Sequence, residues 1–86
     1  MNPYNIIKYP LSTEKSIRLM ERENKLIFVV SKKATKREIK KAIEEMFKAE
    51  VNNVNTLINS NGEKRAYVQF SPKNPAIDIA TKMGLM

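Results

Sequence analysis

The stretch KLIFVVSKKATKREIKKAIEEMF, residues 25–47, decides the fold because two different periodicities meet within it. Its first part, Lys25–Val30, is β-branched and aromatic on both faces, a pattern typical of a central strand covered by helices on both sides. Thr35 and Glu38 then have the spacing of a capping box. Apolar residues follow at helical spacing, at Ile39, Ala42, Ile43, Met46 and Phe47. The sequence therefore predicts an amphipathic helix from about Thr35 to Phe47.

The start of this predicted helix is unusually basic. Between Ser31 and Ala42 the chain carries one acid, Glu38, and six cations: Lys32, Lys33, Lys36, Arg37, Lys40 and Lys41. Aligned peptide dipoles already make a helix N-terminus positive, so each cation placed there costs roughly 0.3–1 kcal/mol. Free backbone N–H groups next to lysine side chains suit phosphate. The arrangement favours an anion-binding surface over a merely solvated basic face.

The composition narrows the class of protein. The chain has 86 residues, enough for one small domain that we place at residues 1–86, with a net charge of +7 and a pI near 9.8. Such an excess of cations points to nucleic acid or another acidic surface. The hydrophobic content of 42% is too high for a disordered tail.

Several kinds of chemistry find no support in the sequence. The chain has no cysteine and no histidine, so disulfides, zinc–thiolate sites and the usual neutral-pH general base are excluded. It contains no HExxH, glycine-rich phosphate loop or serine-centred elbow. The longest apolar run, Leu26–Val30, is far too short to span a bilayer. We expect a soluble intracellular protein that is not an enzyme and uses no cofactor or metal.

Toward the N-terminus the sequence predicts one strand and one helix. A short strand at about Asn5–Lys8 would be ended by Pro10. Either Ser12 or Thr13 can cap the following helix, and Asn24 suits its end.

Toward the C-terminus the sequence predicts a hairpin and a last helix. Val51–Ile58 and Lys64–Phe70 are the two arms, and the residues around Asn61-Gly62 supply turn chemistry. Asn74 and Pro75 are typical of a helix start, as cap and first-turn residue. The predicted order is β-α-β-α-β-β-α. We expect an α+β fold, a three-layer α/β/α sandwich on a four-stranded, mainly antiparallel sheet.

Three segments together are more specific than a basic domain. They are YPLSTEKS (9–16), NKLIFVVSKKATKREIKKAIEEMFKAEVNNVNTLI (24–58) and GEKRAYVQF (62–70). In this order and at these distances they resemble the universal large-subunit ribosomal protein L23 family, and the resemblance covers nearly the whole chain. Bacterial members usually carry a long basic extension where this chain has only the tight turn Asn59–Glu63, so the chain is similar to archaeal members.

The resemblance implies a protein of the cytoplasmic ribosome that binds large-subunit rRNA beside the polypeptide exit tunnel. The RNA-binding residues implied are Lys8, Ser12, Thr13, Lys15, Lys32, Lys33, Lys36, Arg37, Lys40, Asn55, Thr56, Lys64 and Arg65. For Ser12 and Thr13 capping alone is an adequate explanation. Asn55 and Thr56, placed by the motif at a strand end, could instead bond their own backbone in a turn region.

The resemblance also implies protein partners. Glu14 matches an acidic position that faces the exit surface and receives factors handling nascent chains, among them signal recognition particle and the protein-conducting channel. Taken alone, Glu14 is also an acid favoured by the helix dipole. A neighbouring ribosomal protein, L29, is the other implied contact.

Two other interpretations remain open from the residues. AYVQF resembles half of an RNA-recognition-module motif, but Arg65 stands where a base-stacking aromatic is expected and Ile27 replaces the aromatic of the partner strand. A protein-interaction or DNA-compacting domain could use the basic face loosely, without a defined RNA site.

Overall fold

The computed structural model describes residues 6–82 as seven regular elements around one sheet. In chain order they are β1 (Ile7–Pro10), α1 (Glu14–Glu23), β2 (Lys25–Val30), α2 (Lys36–Phe47), β3 (Val51–Ile58), β4 (Lys64–Phe70) and α3 (Ala76–Lys82). This is the predicted order, and the α+β class is confirmed. The first strand differs in its bounds, because it continues through Pro10 at an edge of the sheet, where proline is tolerated.

The sheet is antiparallel throughout, in the order β1-β2-β4-β3. The strand LIFVV is therefore central, as predicted, and pairs with β4 in an unbroken register that sets Phe28 opposite Ala66. The register also fixes the ends of the molecule. Val30, at the end of β2, lies opposite Lys64, so the β2–α2 loop and the β3–β4 hairpin turn meet at one end of the sheet.

One face of the sheet, the core face, carries the main hydrophobic core. Alternate residues of the central strand, Leu26, Phe28 and Val30, join a single buried cluster with residues from all three helices. The largest of its fully buried side chains are Phe28, Phe70, Ile39, Ile43, Val30 and Val68. Burying each such side chain contributes roughly 1.5–3 kcal/mol. This cluster holds α2, and with it the basic helix start, in a fixed position on the sheet.

The opposite face of the sheet, the outer face, carries the remaining residues of β2. Ile27 and Val29 are also buried, but they lie outside the core cluster. Their neighbours in the register are Tyr67 for Ile27, and Arg65 and Tyr9 for Val29. Both faces of β2 are thus buried, the outer one beside aromatic and polar side chains of the adjacent strands.

The caps of the first two helices follow the sequence closely. Thr35 and Glu38 make both bonds of the capping box, at 3.2 and 3.1 Å. Thr13, not Ser12, caps α1, and Ser16 completes its box. Asn24 ends α1 in the left-handed region, with φ 56°.

The start of α3 differs from the prediction. The helix begins at Ala76, one residue after Pro75. The Asn74 side chain does not cap it, because Asn74 Oδ1 accepts a hydrogen bond from the Glu50 N–H at 2.8 Å. The Ala76 N–H donates instead to Asn24 Oδ1 at 2.6 Å, so the cap comes from a residue far away in sequence. From the sequence we also expect Met83 to extend the apolar side of this helix and Gly84 to stop it, but both residues lie outside the described range.

The hairpin turn is organised by Asn59. Its Oδ1 accepts hydrogen bonds from the N–H groups of Asn61 and Glu63, both at 3.0 Å. Gly62 supplies the positive φ, 78°, that the turn requires. The turn is therefore compact and fixes the position of Glu63 and of the strand that follows.

Candidate nucleic-acid interface

The basic cluster predicted from the sequence is exposed at one end of the sheet. We call this surface the basic end, and it consists of Lys32, Lys33, Lys36, Arg37 and Lys40. The first two residues lie in the loop after β2 and the others on the first turns of α2. All five side chains are exposed. Within residues 6–82 the ion pairs are Arg18–Glu14, Lys25–Glu23 and Arg65–Glu63, so no acid of this range neutralises the basic end.

The acid closest in sequence to these cations is engaged in capping. Glu38 Oε1 accepts a hydrogen bond from the Thr35 N–H at 3.1 Å. The carboxylate therefore turns back to the helix start and forms no salt bridge with the lysines around it. The arrangement leaves a helix N-terminus surrounded by exposed positive charge, which is favourable only next to an anion.

The hairpin turn lies against the basic end. Lys64 Nζ donates to the carbonyl oxygen of Ala34 at 2.6 Å and so ties β4 to the loop that carries Lys32 and Lys33. A Cβ placed on Gly62 would lie 3.1 Å from Lys32 Nζ. Lys64 thus lies next to the predicted phosphate contacts, but part of its donor capacity already holds the loop in place.

A second group of predicted residues lies on the outer face. Arg65 and Asn55 are there, the latter opposite Tyr67 in the register. Lys15 reaches the same face from α1, with its Nζ 5.9 Å from the centroid of the Tyr67 ring. The structure therefore brings three predicted cationic or polar residues to one face together with an aromatic ring.

The motif pair Asn55 and Thr56 is placed differently from the prediction. Both residues lie inside β3, not at its end or in a turn. Because side chains alternate along a strand, the pair is divided between the faces: Thr56 is opposite Ala66 on the core face, while Asn55 is exposed on the outer face. Of the two, Asn55 is the more accessible to a ligand.

The remaining predicted residues lie near the start of α1 and on β1. Lys8, Ser12, Thr13 and Glu14 are all exposed. The hydroxyl of Thr13 accepts from the Ser16 N–H at 3.2 Å, so its structural role is capping. Glu14 makes an exposed ion pair with Arg18 at 2.9 Å. Ser12, Thr13 and Glu14 follow β1 at the end away from the basic end, whereas Lys8 comes directly after Ile7, which lies opposite Val30 near the basic end.

The outer face carries a hydrogen-bonded group that the sequence did not indicate. The Tyr9 hydroxyl donates to Glu63 Oε2 at 3.0 Å, and the other carboxylate oxygen accepts from Arg65 Nε at 3.0 Å and from Asn59 Nδ2 at 3.5 Å. Tyr9 and Glu63 are 54 positions apart, and no local pattern predicts such a contact. Only the register of the sheet, which sets both Tyr9 and Arg65 next to Val29, could have indicated it.

The ionisation of this group is adjusted by its hydrogen bonds. The bond from Arg65, followed by that from Tyr9, lowers the pKa of Glu63 below its usual value. The same bond to Glu63 raises the pKa of Tyr9, because the hydroxyl must keep its proton to donate. At neutral pH the carboxylate is charged and the phenol is protonated, which is the combination that the link needs.

The described residues carry no other recognisable centre of chemistry. Between residues 6 and 82, no three acidic side chains come together as a metal-binding group. None of the helices found there has the length and apolar character needed to cross a bilayer.

Comparisons with known proteins agree with the resemblance carried by the sequence motifs. Residues 5–79 match the family model described as Ribosomal protein L23. The chain is also 41% identical over 85 residues, 99% of both chains, to the large ribosomal subunit protein uL23 of the archaeon Methanococcus aeolicus. The chain therefore belongs to the ribosomal protein L23 family, of archaeal type, and is a structural constituent of the ribosome and not an enzyme.

Proposed function

We propose that residues 1–86 act as one domain that binds large-subunit rRNA near the polypeptide exit through the basic end. The observation that carries this proposal is the accumulation of exposed cations, unpaired within residues 6–82, around the N-terminus of α2. In the free protein these charges oppose the helix dipole; next to a phosphate backbone both the cations and the dipole become favourable. The name of the Methanococcus aeolicus relative, a large-subunit protein, supports the choice of RNA.

The remaining predicted contacts extend this interface. Lys64 continues the basic end across the hairpin turn, and Arg65 and Asn55 continue it on the outer face. Lys8 and Lys15 are exposed cations on the β1–α1 side. Phosphate contacts of this kind position a protein on RNA, whereas contacts to bases select the site. Thr13 already caps α1 and Thr56 already faces the core, so these two residues add less to the proposed interface. Ser12 is exposed and stays among the proposed contacts.

Chemical protection of large-subunit rRNA by the purified protein tests the proposal. We expect one localised footprint, in the part of the rRNA that surrounds the exit. Diffuse protection, or equal protection of unrelated RNA, would instead support the loose basic binder and contradict a defined rRNA site.

We also propose that the exposed start of α1 receives factors that act on nascent chains, with Glu14 as the contact. Its carboxylate is exposed and held only by the surface pair with Arg18. Signal recognition particle and the protein-conducting channel are the proposed visitors, and L29 is the proposed neighbour in the subunit.

Charge neutralisation on α1 tests the docking role. Glu14→Gln in assembled ribosomes should weaken crosslinking to signal recognition particle while leaving rRNA binding unchanged. Glu21→Gln, an equal change at an exposed acid of the same helix, is the matched control. Equal crosslinking by the two variants would rule out a specific role for Glu14.

A further inference from the structure

Tyr9 is an exposed aromatic residue that is nevertheless held in place. Its side chain lies on the outer face of an edge strand and is 48% exposed. Its hydroxyl donates to Glu63, and Glu63 is held in turn by Arg65 and by Asn59 of the hairpin turn. An exposed ring that is anchored at its hydroxyl has already lost part of its rotational freedom, so a ligand that binds it need not supply that ordering.

The surroundings of the ring suit the two parts of a nucleotide, its base and its phosphate. The Arg65–Glu63 pair next to Tyr9 has no net charge, so the immediate surroundings of the ring do not attract phosphate. Arg65, however, uses only Nε in this pair, and within residues 6–82 its terminal nitrogen atoms have no hydrogen-bond partner. Tyr9 on β1 and Arg65 on β4 both lie opposite Val29, a residue of the strand β2 between them. A ring is thus available for a base, and guanidinium donors two strands away are available for a phosphate.

We propose that Tyr9 is a stacking site for an unpaired base of the bound RNA, with Arg65 holding a phosphate of the same strand. The inference rests on the proposed rRNA-binding function and adds to it a site that distinguishes single-stranded RNA from a regular duplex. The site is continuous with the basic end, because Gly62, next to Glu63 in the hairpin turn, lies against Lys32. Glu63 acts as a positioning residue that aims the ring and does not itself touch the RNA.

Two substitutions at one position separate stacking from a structural role. Tyr9→Phe keeps the ring and removes the hydroxyl, while Tyr9→Leu keeps an apolar cover and removes the ring. Base–aromatic stacking at the usual strength predicts that Tyr9→Leu weakens binding to large-subunit rRNA by about 5- to 100-fold, with a much smaller loss for Tyr9→Phe. Ile77→Ala, at an exposed apolar residue of α3, is the control and should bind as the wild type does.

The salt dependence of binding separates failure of this site from failure of the proposed function. A stacked base releases no counterions, so Tyr9→Leu should lower the affinity without changing the slope of log affinity against log salt. If the wild type binds with a steep slope and Tyr9→Leu binds equally well, the stacking site is refuted and the rRNA interface stands. If the wild type shows no salt-dependent binding, the proposed function fails first. If Tyr9→Leu impairs only contact with a neighbouring protein, the outer face is a protein interface and the inference is wrong.

Discussion

Asn24 joins three elements that are far apart in the sequence. Its backbone ends α1 in the left-handed region. Its Nδ2 donates to the carbonyl oxygens of Phe70, Ser71 and Asn74 at 3.1–3.3 Å, and its Oδ1 caps α3 at Ala76. A small polar side chain thus connects the ends of α1 and β4 with the start of α3.

Substitutions at Asn24 should separate its two roles. Asn24→Gly keeps the left-handed backbone but loses the side-chain bonds, and we expect it to lower the free energy of unfolding by about 1–3 kcal/mol. Asn24→Ala adds the cost of a Cβ in the left-handed region, roughly 1–2 kcal/mol more. Urea denaturation measures both variants. Equal stability of the alanine and glycine variants would show that the left-handed backbone is unimportant.

The Glu63 link should be sensitive to acid. The folded-state pKa of Glu63 is lowered, so its contribution to stability is present above the usual value of 4.5 and is lost as the pH falls through the folded pKa. NMR titration should show Glu63 protonating below the usual range, with the Tyr9 ring resonances changing in the same step. In Glu63→Gln the Tyr9 resonances should lose that acidic step. A Glu63 pKa at or above 4.5 would contradict the link.

At the scale of elements, local and distant interactions were predictable to different degrees. The capping box at Thr35 and Glu38 spans three residues, so the sequence contains all of its information. The predicted cap of α3 was wrong: the cap comes from Asn24, while Asn74, the expected cap, accepts a hydrogen bond from Glu50. The Tyr9–Glu63 bond depends on a strand order that no single segment specifies. Distant side-chain contacts of this kind follow only once the sheet register is known.

The cations at the start of α2 should lower the unfolding free energy of the free protein. Lys36 is the first residue of the helix, where the dipole disfavours a cation. We expect Lys36→Glu to raise the unfolding free energy of the free protein by about 0.3–1 kcal/mol, with a few tenths more from a new pair with Lys40. In urea denaturation the stability of Lys36→Gln should lie between that of the wild type and that of Lys36→Glu.

The same substitution should have the opposite effect on RNA binding. Lys36→Glu places a negative charge where a phosphate is proposed, so its affinity for large-subunit rRNA should fall as the stability rises. A variant that is both more stable and fully active in binding would show that Lys36 has no role at the interface.

At the scale of the whole molecule, charge and packing are separated in space. The core cluster fixes α2 on the sheet, and the basic end extends from the end of the sheet where the β2–α2 loop and the hairpin turn meet. The sequence was sufficient to predict the class, the element order and the basic end, because hydrophobic periodicity and local charge determine them. It could not predict how the outer face is arranged, since Tyr9, Glu63 and Arg65 meet only through the folded sheet.

The most direct test of the account is the salt dependence of binding to large-subunit rRNA. The wild type is compared with a triple variant in which Lys32, Lys33 and Lys36 are replaced by Gln, and with a control in which Lys48, Lys73 and Lys82 are replaced in the same way. Both variants lose three charges, but the control residues lie outside the basic end. If the basic end binds phosphates, the slope of log affinity against log salt should become shallower by about two to three in the first variant and remain nearly unchanged in the control. Equal slopes for all three proteins would contradict the account.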